Sequence, residues 1–152
     1  MKYKLILLVI AIACNRLSAN AQADTPNYLL AMQIGMITPK LGMPVDSAAR
    51  YLNGFTKVAG TKPSETVYKY DLDDVYIVFQ KNADGLAQVI MCSMSSKLLS
   101  TAQKAIVLMG MKASGTQAPP GYTAYATPKY AAFLNPEATK GHLSLVLVQG
   151  GK

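Results

Sequence analysis

The chain has 152 residues, 15 basic and 8 acidic, and a net charge of +7. Its size allows one domain with a core of its own. The lysines are spread singly rather than clustered, so no nucleic-acid footprint is expected and nucleic acid is set aside as a partner.

The N-terminus has the pattern of a secretory signal peptide. Lys2 and Lys4 form a basic start, 5–13 is an unbroken apolar run, and Ala21-Gln22-Ala23 offers small residues at a cleavage site. Residues 1–23 are therefore expected to be a leader and 24–152 a single exported domain, periplasmic or extracellular. The alternative is a lipoprotein anchored through Cys14, at the edge of the apolar run. Three of the 15 basic residues and none of the 8 acids lie in 1–23, leaving 12 against 8 and a net charge of +4. Cys92 is then the one cysteine left, so no intramolecular disulfide is expected. No run reaches the roughly 18 apolar residues of a membrane span, and no transmembrane segment is expected in the exported domain.

Beyond the leader, residues 27–38 are apolar helix formers, and Pro39 should end them. Pro44 suits the first turn of a second helix, Asp46 favours that turn's dipole, and Val45, Ala48, Ala49 and Leu52 have helical spacing. Asn53-Gly54 should close it. The period then changes to two. Strands are expected over 66–70, 75–79 and 86–94, with Asp71–Asp74 and Asn82–Gly85 as turns. Ser95 or Ser96 should cap a helix reaching Met109, with Gly110 as its stop. Three further strands are expected over 122–126, 129–134 and 142–149.

The fold class is α+β, a continuous antiparallel sheet with helices on one face. Matching Gly85 with Gly141 suggests a tandem helix–three-strand repeat over 40–94 and 95–149. In that alignment Ala87, Val89 and Met91 correspond to Leu143, Leu145 and Leu147 on one face. Gln88, Ile90 and Cys92 correspond to Ser144, Val146 and Val148 on the other.

The spacing Gly42-Met43, Ala48, Leu52-Asn53 resembles the Gly-Met-Thr-x-x-x-Val-x-x-x-Leu-Gly helix opening of the superfamily that holds β-lactamase inhibitor protein and the small lipoproteins of outer-membrane β-barrel assembly. The match covers about twelve residues and departs at Pro44 for Thr, Ala48 for Val and Asn53 for Gly. The resemblance implies two helices with an antiparallel sheet, tandem in the inhibitor, and a protein-binding module rather than an enzyme. It assigns no binding residue here.

Catalytic and metal chemistry finds little support. One His and one Cys do not make a zinc site, and Asp71, Asp73 and Asp74 lack the spacing and distal Glu of a calcium loop. Cys92 and His142 are the single candidate nucleophile–base pair; strand parity puts both on the non-core face, but no third group orients them. Glu65 and Glu137 do not form an evident acid pair. No phosphate loop or Gly-x-Ser-x-Gly elbow is present. No catalytic residue, metal site or cofactor is therefore expected.

Tyrosine carries what remains. Tyr68 and Tyr70 share a strand face, and Tyr76, Tyr122, Tyr125 and Tyr130 lie on other strands. Such residues suit either cross-strand packing or a contact surface. The expected binding surface is the open sheet face, with Tyr68, Tyr70 and Gln88 on it. Its expected partner is another envelope or extracellular protein, met as an inhibitor or assembly factor would meet it. The alternatives are a small-ligand binder with a pocket between helices and sheet, and, after that, a hydrolase.

Overall fold

The computed structural model describes residues 28–70 and 74–150; the leader, Cys14 and the turn at 71–73 lie outside them. The described chain opens in a helix over 28–37 (α1), followed by a 3-10 turn, Thr38–Lys40, that contains Pro39. A short helix, Val45–Ala49 (α2), starts behind Pro44 with Asp46 in its first turn. Four strands follow: Phe55–Val58 (β1), Glu65–Tyr70 (β2), Tyr76–Lys81 (β3) and Ala87–Ser95 (β4). A 3-10 turn, Ser96–Leu98, leads into the helix Leu99–Leu108 (α3). Four more strands close the chain: Lys112–Ala113 (β5), Thr123–Ala126 (β6), Tyr130–Thr139 (β7) and His142–Gln149 (β8).

Local chemistry accounts for the joints. The Ser95 side chain accepts a hydrogen bond from Lys97 N, which starts the turn before α3. Asn82 Oδ1 accepts from the amides of Asp84 and Leu86, and Gly85 takes the left-handed φ of 78° that the β3–β4 hairpin requires. The Gly-Met loop ties the helical layer to the sheet: Gly42 N donates to Ala87 O, and Ala87 N donates to Met43 O. Gly42 has φ 83°, a left-handed conformation that favours glycine, and a Cβ there, 2.6 Å from Gln149 Nε2, would push that side chain aside.

All eight strands form one antiparallel sheet in the order β1-β2-β3-β4-β8-β7-β6-β5. The order is symmetric about the central β4–β8 pair. The expected α+β class, a continuous antiparallel sheet with helices on one face, holds. Four strands stand on each side of α3 rather than three, because β1 and β5 are short edge strands with no alternating pattern.

The core lies between helices and sheet. Leu30, Ile34 and Ile37 of α1 and Ala102, Ala105 and Ile106 of α3 meet Ile77, Phe79, Ile90, Cys92, Met94, Leu143, Leu145 and Leu147. These strand residues are buried while their neighbours are half-buried, the signature of a sheet covered on one side. Among the described residues, no helix is long and apolar enough to cross a membrane.

The parity expected for β4 is corrected. Gln80 pairs with Val89 but Lys81 pairs with Ala87, so Gln88 is an extra residue in a β-bulge. One inserted residue exchanges the faces of everything beyond it. Ile90, Cys92 and Met94 therefore face the helices with Leu147, Leu145 and Leu143. Val89 and Met91 face away with Val148 and Val146.

Candidate functional site

The sheet face turned away from the helices carries an ordered surface. Cross-strand partners point to the same side, so the register defines rows running across the strands. One row is Val58, Val67, Val78, Met91, Val146, Phe133 and Ala124, one residue from each strand from β1 to β6 in spatial order. Seven apolar side chains thus cross seven strands in an unbroken line. None belongs to the cluster that packs against the helices. Val58, Val78, Met91, Val146 and Phe133 are half-buried, while Val67 and Ala124 are buried by their neighbours.

Polar residues flank that line on one side. The adjacent row is Thr56, Lys69, Tyr76, Ser93, Ser144 and Asn135. Lys69 Nζ lies 5.7 Å from the centre of the Tyr76 ring, a cation–π contact. On the other side stand Glu65, Gln80, Val89, Val148 and Ala131. Gln80 Nε2 reaches Met91 Sδ at 4.0 Å and partly covers it. On that side the apolar surface widens over Val89, Val148 and Ala131, so the strip is bounded by polar residues along one margin and continues along part of the other, an apolar patch of the kind that marks a contact surface.

Two of the three expected binding residues lie elsewhere. Tyr68 is 8% exposed on the helix side and meets Phe79 edge-on at 5.9 Å. Its hydroxyl pKa is raised by burial first and by the charge of Asp46 second. Tyr70 shares that face and packs on Phe55 at 4.8 Å. Tyr68 and Tyr70 do share a face, but it is the covered one. The signal was in the intervening residues: Glu65 and Lys69 stand on the opposite face with Val67, and charges mark the solvent side. Of the other tyrosines, Tyr76 is on the open face, while Tyr125 and Tyr130 pack against the core.

Gln88 is exposed in the bulge. It lines a surface groove of about 480 Å³ with Gly42, Asn82, Leu86, Val148 and Gln149. Gln149 Nε2 donates to Leu41 O across the same region, so one wall of the groove is fixed.

The Cys92–His142 pair does not form. Cys92 is fully buried on the helix face, where burial pushes its thiol up to about 12. His142 pairs with Ser95 in the register, on the opposite face. Its Nε2 donates to Asp74 Oδ2 at 3.1 Å, joining two chain segments 68 residues apart. Its Nδ1 faces the Lys140 carbonyl oxygen at 3.4 Å. The imidazole is an orienting contact at the sheet's polar end rather than a base beside a thiol.

The chain matches no protein-family model, no curated protein and no solved structure.

Proposed function

We propose that this chain is a non-catalytic binding module of the cell envelope that takes another protein on the open face of its sheet. The apolar row from Val58 to Ala124 is the observation that carries the reading. The interlayer space is filled by Ile34, Ile37, Phe79 and Leu145, all fully buried, which favours a surface over an internal ligand pocket. The inaccessible Cys92 favours binding over thiol chemistry. The leader pattern and the Gly-Met helix opening supply the envelope setting.

The experiment is recovery of partners from envelope extracts with the native protein and with Met91→Lys. A charge at the centre of the row should remove a specifically retained protein, while Lys57→Glu, whose residue is exposed at the edge strand, should keep it. Failure of the native protein to retain any specific partner overturns the reading. A second reading rests on the Gln88 groove, whose amide side chains suit a small polar ligand. Gln88→Leu would abolish that binding and leave protein capture intact.

A further inference from the structure

An asparagine followed by glycine is chemically unstable wherever the fold leaves the pair open. The peptide nitrogen after the asparagine can attack the side-chain amide carbon, and glycine puts no Cβ in the way. The described residues hold three asparagines, Asn53, Asn82 and Asn135. Two of them are protected. Asn135 precedes Pro136, whose nitrogen has no proton to give up, and its Oδ1 accepts from Glu137 N. Asn82 has its side chain fixed, with Oδ1 accepting from the amides of Asp84 and Leu86, and the next residue is Ala83 rather than glycine. Asp84 stands before Gly85 and could close the same ring, but Gly85 N donates to Asn82 O at 3.0 Å and is held away.

Asn53 has none of these protections. It shares a turn with Gly54 just before β1, and both residues are exposed. Gly54 takes φ 78°, the left-handed region that favours glycine, and a Cβ there would sit 2.8 Å from Tyr70 Cε2. The turn itself therefore selects the small neighbour that the reaction needs. Among the described residues, no acceptor faces Gly54 N and no partner holds the Asn53 side chain. Gln33 Nε2 donates to the Asn53 main-chain carbonyl oxygen at 3.1 Å. That bond draws electron density from the peptide group and eases loss of the Gly54 amide proton.

We propose that Asn53-Gly54 is a self-acting modification site, at which the folded protein converts Asn53 to aspartate and isoaspartate. Gly54 N gives up its proton to hydroxide and bonds to Asn53 Cγ. The Cγ–Nδ2 bond breaks, and the side-chain nitrogen takes up a proton from water and leaves as ammonia. Water then opens the ring. Addition at Cγ breaks its bond to Gly54 N and leaves aspartate. Addition at the main-chain carbonyl carbon breaks that peptide bond instead and leaves isoaspartate, whose main chain runs through Cγ and is one carbon longer. Either product carries a new negative charge. The longer linkage moves Gly54 off the Tyr70 ring and disturbs β1, the edge strand where the apolar row begins at Val58. The inference does not depend on a partner for that row.

The test is incubation of the native protein for several days at pH 8 and 37 °C, folded and, in parallel, unfolded in guanidinium chloride, followed by peptide mass mapping. The tryptic peptide 51–57 should gain one dalton and split into aspartyl and isoaspartyl forms. In the folded protein this should proceed within a few-fold of its rate in the unfolded chain. Folded protein should keep Asn82 and Asn135 intact and form no isoaspartate at Asp84. Asn53→Ser should form no isoaspartate in 51–57. Asn53 that survives in the folded protein while it reacts in the unfolded chain overturns the proposal, because the fold would then hold the Gly54 amide. Faster loss of ammonia at Asn82 in the folded protein overturns it as well. The purified isoaspartyl form should unfold at a lower denaturant concentration than fresh protein, and an equal midpoint overturns the disturbance of β1.

Discussion

Leu145 and Val146 are neighbours in β8 with opposite environments: Leu145 is fully buried against the helices, opposite Cys92, while Val146 is half-buried on the open face, opposite Met91. The sheet is covered on one side, so truncating the two should have different consequences. Leu145→Ala removes packed atoms and leaves a cavity, which costs about 2–5 kcal/mol. Val146→Ala should cost less than about 1 kcal/mol, because water already reaches the site. Urea unfolding of the two variants measures both. Equal losses would mean that something covers the open face within the free protein.

Cys92 gives a chemical check on the same geometry. Its thiol is fully buried and pushed up to about 12 by desolvation, so almost no thiolate exists at neutral pH. A thiol reagent at pH 8 should leave the folded protein unmodified for hours and label it stoichiometrically once denaturant unfolds it. Rapid labelling of folded protein would place Cys92 on the open face, as the uncorrected parity has it.

That parity shows where the sequence is legible and where it is not. The hairpin at Asn82–Gly85, the Ser95 start before α3, the Gly110 stop and the six strands other than β1 and β5 follow from turn chemistry, capping and alternation. Each is a local effect. The β1 strand has a buried–exposed pattern with no alternation, and β5 has two residues, so neither announces itself. The bulge at Gln88 depends on how β3 pairs with β4, and it reverses every face assignment beyond it. The apolar row needs six registers at once, and the Asp74–His142 contact spans 68 residues, so neither is written in any local stretch. For Tyr68 and Tyr70, period two fixed the sharing of a face but not its side.

Thr101 presents an energetic test within α3. It is fully buried, and among the described residues its hydroxyl oxygen has no hydrogen-bond partner. A buried unsatisfied hydroxyl costs roughly 1–3 kcal/mol. Thr101→Val keeps the branched shape and removes the cost, so it should stabilise the fold by about 1 kcal/mol, a rise of roughly 4 °C in melting temperature. Thr38 is the contrast. Its hydroxyl donates to Ile34 O at 2.9 Å and also approaches Met109 Sδ at 3.0 Å. Thr38→Val should therefore destabilise, by about 1 kcal/mol. Calorimetry of the pair should give shifts of opposite sign.

Asp74 and His142 should make the junction of the β2–β3 turn with the β7–β8 hairpin sensitive to pH. The hydrogen bond from His142 holds the Asp74 carboxyl below its usual value, and the bond to Asp74 raises the imidazole, helped by the Lys140 carbonyl. The raised histidine contributes fully below its unfolded pKa of about 6.5 and loses its contribution as pH rises through the folded value. The lowered aspartate contributes above its unfolded value of about 4 and loses it as pH falls through the folded one. The contact is therefore at its strongest in mildly acidic solution, between the two, and weakens on either side. Both side chains are exposed, so salt screens the pair and its effect on global stability is small. An NMR titration of the His142 ring should give a pKa above that of an unpaired histidine, and Asp74→Asn should bring it down. An unchanged midpoint in Asp74→Asn would show that the 3.1 Å contact is not maintained in solution.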